Sequence, residues 1–144
     1  MNYMMNENKT NLEKINDGIN KLYNKFDELK INNTINNQEL IGIDGTRYIG
    51  QVLNGLPEGK VIEYFNNGDR YEGDFRNGKG EGKGIYYYNN GNRYEGDWRN
   101  DNKDGKGIMY YNNGDRSMGD YSDDEPIGMH VILTEDEEVK TEYY

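Results

Sequence analysis

The sequence lacks cysteine entirely and contains one histidine, two prolines and no long apolar run. Without cysteine the chain has no disulfides, no thiol nucleophile and no cysteine-based zinc or iron–sulfur site. No run approaches a membrane span of about 18 apolar residues, and the polar start has no apolar signal-peptide segment. We therefore expect a cytoplasmic protein. Its stability must come from side-chain packing and from hydrogen bonds between backbone groups.

A net excess of basic residues is also missing, because the formal charge is −10 at pH 7. The excess acids lie at the C-terminus: residues 117–144 contain nine acids and one base, whereas residues 41–116 contain twelve acids and eleven bases. Nucleic acids and anionic membranes attract clustered Lys and Arg side chains. The charge pattern therefore predicts no nucleic-acid partner and argues against membrane binding.

Glycine and tyrosine are abundant, with 19 and 14 residues, although hydrophobic residues make up only 33% of the chain. Ten of the tyrosines lie between Tyr48 and Tyr121. A tyrosine ring buries a large apolar area and keeps a polar tip. We therefore expect a thin core that consists of a layer of aromatic rings.

From Tyr48 the chain divides without gaps into units of 23 residues. The units are residues 48–70, 71–93, 94–116 and a degenerate 117–139, preceded by a half repeat at residues 41–47. A unit has two turn signals, an Asn-Gly pair such as Asn90-Gly91 and a glycine-rich stretch such as residues 78–82. Each unit is therefore predicted to be a β-hairpin.

The first strand of a unit is predicted to bury one face, because Tyr71, Gly73 and Phe75 alternate with charged residues. We expect Gly73 either to leave room for a neighbouring ring over the backbone or to permit a bulge, and the first role is favoured. The second strand, residues 85–88, is apolar on both faces, so one face is a candidate binding surface. The candidate partner-binding residues are Tyr71, Phe75, Tyr86, Tyr87, Tyr88, Tyr94, Trp98, Met109, Tyr110 and Tyr111.

The motif Tyr-Glu-Gly-Asp-Phe at residues 71–75 and its copy at residues 94–98 resemble the MORN (membrane occupation and recognition nexus) repeat. The resemblance covers residues 41–139. It implies a mainly β fold, an elongated and twisted antiparallel sheet of consecutive hairpins that often forms a groove. It also implies a role in cytoskeletal, ciliary or membrane-junction scaffolds. Ser117 and His130 depart from the pattern and indicate that the last unit is a cap.

Before the repeats, apolar residues recur at spacings of 3 and 4, which predicts one amphipathic α-helix over residues 9–31. The residues of this seam are Leu12, Ile15, Ile19, Leu22, Phe26 and Leu29. The helix can pack on its own sheet, on a second copy of the chain as a homodimer, or on a helix of a partner protein. Residues 1–40 are then helix and polar linker, residues 41–139 the repeat array, and residues 140–144 a tail.

No catalytic, metal or cofactor site is predicted. His130 is the only histidine, and Ser117 and Ser122 are the only serines that could join it in a catalytic pair. We expect His130 to fill a glycine position of the last hairpin instead. Acids such as Glu72 and Asp74 recur at fixed repeat positions, which indicates architecture because an active site is a single constellation.

These features predict a non-catalytic scaffold that binds a partner helix or peptide on an aromatic-lined sheet groove. Its expected partners are proteins, and its expected location is the cytoplasm, at the cytoskeleton or cilium. Two alternatives stay open, a peripheral phosphoinositide-binding protein and a regulatory subunit of an enzyme complex.

Overall fold

The computed structural model describes residues 13–22 and 34–144 of the chain. Two compact units divide between Thr34 and Ile35. The second unit is a single open antiparallel sheet of ten strands in sequence order. The strands are β1 (Thr34–Ile41), β2 (Arg47–Leu53), β3 (Leu56–Tyr64), β4 (Arg70–Arg76), β5 (Lys79–Tyr87), β6 (Arg93–Arg99), β7 (Asn102–Tyr110), β8 (Arg116–Ser122), β9 (Glu125–Leu133) and β10 (Val139–Tyr143). The predicted mainly β class with one preceding helix is confirmed.

The described part of the N-terminal helix is residues 13–22. Its three seam residues, Ile15, Ile19 and Leu22, are all exposed. The other three seam residues, which lie outside the described residues, are Leu12, Phe26 and Leu29. The full length of the seam therefore stays a prediction.

Two kinds of turn alternate along the sheet. The shorter kind has two residues with positive φ, as in Asn77 (51°) and Gly78 (80°), which suits the twist of a two-residue hairpin. The longer kind places a glycine in the left-handed region, as in Gly91 (90°), whose N–H donates to the Tyr88 carbonyl at 3.0 Å. In the last hairpin Glu137 (63°) takes this position without a glycine.

The sequence pattern predicts a bend at the glycine-rich stretch 78–82. In the structure only the start of this stretch belongs to the turn. The chain turns at Asn77 and Gly78, and residues 79–82 belong to β5. Two residues with positive φ complete the turn, so the further glycines are not needed for it. Gly82, with φ of 70°, instead lies at a bulge where the register between β4 and β5 shifts.

Two segments that were predicted to be irregular are edge strands. β1 begins at Thr34, inside the expected polar linker, and β10 covers most of the expected tail. An edge strand is held by backbone hydrogen bonds along one side, so it needs no alternation of apolar residues. All five side chains of β10 are exposed, while Lys140 pairs with Ile132 and Glu142 with His130 of β9.

The core lies on one face of the sheet, here named the core face. Its buried residues are Val61, Tyr71, Phe75, Tyr94, Trp98 and Tyr121. Neighbouring rings meet edge to face, with centroids 4.9 Å apart for Tyr71 and Trp98 and 5.0 Å apart for Tyr94 and Tyr121. Aromatic pairs prefer this geometry. The predicted aromatic layer and the predicted alternation in β4 and β6 are confirmed.

The tyrosines of the interior units cover pairs of facing glycines. Tyr71 lies over Gly73 and Gly84, which pair in register on β4 and β5, and its hydroxyl donates to the Asp74 carbonyl at 3.4 Å. A Cβ on Gly73 would overlap the Tyr71 ring and approach the Gly84 Cα to 2.8 Å. The glycines therefore admit the ring, as predicted, and Tyr94 repeats the arrangement in the next unit.

The last unit fills the same space from the opposite strand. Ser117 stands in place of the tyrosine, and the ring of His130 lies over Gly119 instead. Its Nε2 donates to the Asp120 carbonyl at 2.9 Å, which leaves Nδ1 to accept from the Ser117 hydroxyl at 3.0 Å. His130 is fully buried and Ser117 is 2% exposed, so the pair packs the sheet and presents no accessible nucleophile.

Candidate functional site

The face opposite the core carries an open groove with a volume of about 1150 Å³, here named the isoleucine groove. It crosses the sheet from β2 to β9. One side chain per strand forms its central row. In register from β2 to β8, the row consists of Ile49, Ile62, Glu72, Ile85, Glu95, Ile108 and Met118. The centre of the groove is therefore mainly apolar.

Ion pairs between neighbouring strands follow one side of this row. The pairs are Lys60–Asp74, Lys83–Asp97 and Lys106–Asp120. The Lys83 ammonium lowers the pKa of Asp97 through the hydrogen bond that it donates. Because the lysine side chains are 73–83% exposed, the pairs contribute little to stability. They leave this side of the groove without net charge.

Arginine side chains stack on tyrosine rings along the other side of the row. The Arg70 guanidinium carbon lies 4.3 Å from the Tyr87 ring centroid, and that of Arg93 lies 4.2 Å from the Tyr110 centroid. A guanidinium over an aromatic face is attracted by the ring. Tyr87 and Tyr110 pair in register with these arginines, so each stack lies on the groove face of the sheet.

The core face carries a second cavity with a volume of about 530 Å³, here named the aromatic pocket. Its aromatic lining consists of Tyr48, Phe65, Tyr71, Tyr86, Tyr88 and Trp98. Its charged lining consists of Glu63, Asp101, Asp124 and Lys103. Asp101 is held in place because its Oδ1 accepts the Gly80 N–H at 2.7 Å. The pocket thus combines aromatic rings with three carboxyl groups and one amine.

Burial changes the titration of two of these groups. Glu63 lies in register between Tyr48 and Tyr71, and burial raises the pKa of its carboxyl to about 7. Burial also lowers the pKa of the Lys103 amine, which lies 5.6 Å from the Tyr94 ring centroid and 5.4 Å from that of Tyr121. Glu63 therefore titrates near neutral pH.

The MORN repeat family model matches residues 48–70, 71–93 and 94–116, which are the bounds of the three complete units. The chain contains MORN repeats. No curated protein matches it in sequence. Within residues 13–22 and 34–144, no helix is long and apolar enough to cross a membrane. The same residues contain no group of three or more histidine or acidic side chains that could hold a metal ion.

Two solved structures are similar to part of this chain. The TCP10 domain of CPAP from Danio rerio, in complex with a STIL peptide, is 22% identical with a TM-score of 0.45, over 74% of this chain and 54% of that one. The TCP domain of SAS-4 from Drosophila melanogaster, in complex with a proline-rich motif of Ana2, is 20% identical with a TM-score of 0.45, over 72% and 62%. The MORN chain spans less than two thirds of either structure.

The MORN sheet distributes the sequence-predicted binding residues over both faces. Those that line the aromatic pocket are Tyr71, Tyr86, Tyr88 and Trp98. Those in or against the core are Phe75, Tyr94 and Met109. Those on the groove face are Tyr87 and Tyr110, while Tyr111 is an exposed turn residue. They do not form one surface, because successive residues of a strand point to opposite faces.

Sequence reasoning missed the charged residues of the aromatic pocket, although two of them, Glu63 and Lys103, differ from the residues at the same position of a neighbouring unit. Glu63 precedes Tyr86 by one repeat of 23 residues, so an acid stands where the next unit has a ring. Lys103 follows Gly80 by one repeat, so a lysine stands where the previous unit has a glycine. A comparison of the units position by position would have identified both residues.

Proposed function

We propose that the protein is a non-catalytic scaffold that binds an amphipathic helix of a partner protein in the isoleucine groove. The observation that supports the proposal is the mainly apolar row, which crosses the strands from Ile49 to Met118. The groove spans eight strands, and seven spacings of about 4.8 Å make it about 34 Å long. A helix of about 22 residues has this length at about 1.5 Å per residue.

The spacing of the strands also favours a helix over an extended peptide. The apolar residues of an amphipathic helix recur about every 3.5 residues, or about 5.3 Å along its axis, close to the strand spacing of about 4.8 Å. In an extended peptide, residues on one face recur only about every 6.6 Å. Each apolar residue of a bound helix therefore meets about one strand, and the isoleucines of alternate strands, such as Ile85 on β5 and Ile108 on β7, would provide its apolar contacts.

Affinity capture from native extract, followed by titration of the purified partner, tests this proposal. The paired change Ile85→Gln and Ile108→Gln is expected to weaken binding at least about tenfold, because apolar residues at the centre of an interface carry most of its energy. Ile43→Gln is the matched control, since Ile43 is fully exposed in a turn. Wild-type affinity in the groove variant would exclude the isoleucine groove.

A membrane role receives no support from the groove charges. Its lysines are paired with aspartates, whereas anionic lipids attract unpaired basic clusters. We expect flotation with phosphatidylserine or phosphoinositide vesicles to leave the protein unbound. A regulatory subunit of an enzyme would use the same groove, and the identity of the captured chain distinguishes it from other scaffolds.

The N-terminal helix supports a second association, homodimerisation through its seam. Ile15, Ile19 and Leu22 are exposed, and apolar side chains grouped on one helix face mark an interface. A cytoplasmic location at the cytoskeleton or cilium, which the MORN resemblance implies, is also part of the proposal. Light scattering tests the dimer, and imaging of a fluorescent fusion tests the location.

A further inference from the structure

Lys103 shows how this fold holds a cation on its core face. Its Nζ lies 5.6 Å and 5.4 Å from the ring centroids of Tyr94 and Tyr121. The Asp124 carboxylate accepts the backbone N–H of Lys103 at 2.9 Å, and its charge offsets part of the effect of burial, which lowers the pKa of the amine. The ammonium group therefore lies near two aromatic rings, which attract cations, and in the field of a nearby carboxylate.

The same arrangement occurs one repeat earlier. Tyr71 and Trp98 are the counterparts of the two rings, and their centroids lie 4.9 Å apart. Asp101 is the counterpart of the carboxylate, and it accepts a backbone N–H of the neighbouring strand at 2.7 Å in the same way. All three residues line the aromatic pocket. The earlier position thus has counterparts of the two rings and of the carboxylate that lie around Lys103 in the next unit.

The earlier position differs in having room and an additional acid. Gly80 stands where the next unit has Lys103, and a Cβ added there would lie in ordinary contact, 3.4 Å from the Tyr71 ring. Glu63 adds a second carboxyl group to the lining. Burial raises the pKa of this group to about 7, and the charge of Asp101 adds to the increase. Above pH 7, where Glu63 is ionised, a cation in the pocket would therefore be attracted by two carboxylates.

We propose that the aromatic pocket binds the ammonium group of a lysine side chain of a partner protein, over the Tyr71 and Trp98 rings and between Glu63 and Asp101. The pocket lies on the core face, so this site is independent of the isoleucine groove. A lysine fits because its apolar stem packs against rings while its charged end meets the acids. A neutral apolar side chain would leave the carboxyl groups without a cation.

Nuclear magnetic resonance with a lysine side-chain analogue tests the site in the full chain. The probe is n-butylammonium, and 1-butanol is its neutral control. Trp98 is the only tryptophan, so its indole N–H gives a single assigned signal. We expect a saturable shift of this signal with butylammonium and none with butanol at the same concentrations. Equal shifts with both probes, or no shift with butylammonium, would overturn the proposal.

Variants separate charge from shape. Glu63→Gln keeps the shape of the side chain and is expected to weaken butylammonium binding about tenfold. Asp136→Asn, which changes an exposed acid of the last turn, is the matched control and should bind as the wild type does. Wild-type affinity in Glu63→Gln, with the spectrum of a folded chain, would contradict the site.

A second variant pair tests the pocket without added ligand. Gly80→Lys places an internal ammonium over Tyr71, as Lys103 does over Tyr94, whereas Gly80→Met adds a stem of similar length without charge. We expect the lysine variant to have the higher melting temperature and to lose the butylammonium response. A methionine variant that melts at the same or a higher temperature would show that the pocket does not favour a cation.

Discussion

The last repeat exchanges tyrosine and glycine for serine and histidine, and the two pairs are expected to be interchangeable. In the third unit Tyr94 covers Gly107, and in the last unit His130 fills the corresponding space from the other strand. The double variant Ser117→Tyr with His130→Gly restores the arrangement of the third unit. Because the buried volume is nearly conserved, we expect its free energy of unfolding to lie within about 1.5 kcal/mol of the wild type.

Each single change is expected to be costly. His130→Gly removes a fully buried ring and leaves the Asp120 carbonyl without its donor, a loss of about 2–5 kcal/mol. Ser117→Tyr adds a ring to a space that His130 already fills, which costs about 1–3 kcal/mol. The central values of these two ranges sum to about 5.5 kcal/mol, so a double variant within about 1.5 kcal/mol of the wild type implies a coupling free energy of at least about 4 kcal/mol.

Urea unfolding followed by circular dichroism measures the free energy of unfolding of the four proteins in this cycle. The reverse exchange, Tyr94→Ser with Gly107→His in the third unit, is the matched control and should show coupling of the same sign. A double variant as unstable as the two single variants combined would refute the equivalence of the pairs. The histidine would then have a role that a tyrosine from the opposite strand does not replace.

Gly73→Val is expected to cost about 3 kcal/mol or more, because the tyrosine ring above it must move, whereas Asp74→Ala removes an exposed ion pair worth less than about 1 kcal/mol. If thermal melts show Asp74→Ala to be more destabilising than Gly73→Val, then the assignment of Gly73 to the core face and Asp74 to the groove face is wrong. Because burial raises the pKa of Glu63 from 4.5 to about 7, the folded state binds its proton more tightly than the unfolded state, and stability should fall as the pH rises from 4.5 to 7. Glu63→Gln should remove this dependence of the free energy of unfolding on pH, as measured by denaturation at several pH values. An unchanged dependence would contradict the raised pKa of the Glu63 carboxyl. Ile19→Asp is expected to halve the mass measured by light scattering, with Asn20→Asp as the control off the seam, and a monomeric wild type would argue against helix pairing.

Local sequence was sufficient to predict the units, the longer turns and the aromatic layer. The longer turn requires a residue with positive φ, which glycine adopts readily, so Gly91 of the Asn90-Gly91 pair predicts it without reference to distant residues. The alternation of Tyr71 and Phe75 with charged residues places both rings on one face for the same local reason. The glycine between them was explained correctly because the ring that covers it lies only two residues away.

The groove, the pocket and the edge strands depend on register between strands, which local sequence does not determine. Ile62, Ile85 and Ile108 are 23 residues apart and form one row only because every hairpin pairs in the same register. Glu63 is partly buried between Tyr48 and Tyr71 on its two neighbouring strands, so the residues next to it in sequence do not predict its burial. β10 was missed because all five of its side chains are exposed, so backbone pairing with β9 holds it to the sheet.

Photo-crosslinking along the isoleucine groove tests most directly whether a partner helix lies across the strands. A photoreactive amino acid is placed in turn at positions 62, 85 and 108, which lie on β3, β5 and β7, and at the exposed turn position 43 as the control. Successive groove positions are two strand spacings, about 9.6 Å, apart. We expect crosslinks to one partner segment that advance by about six or seven residues per step, the distance along a helix at about 1.5 Å per residue. Steps of about three residues would indicate an extended peptide, and crosslinks equal to those from position 43 would contradict the isoleucine groove as a binding site.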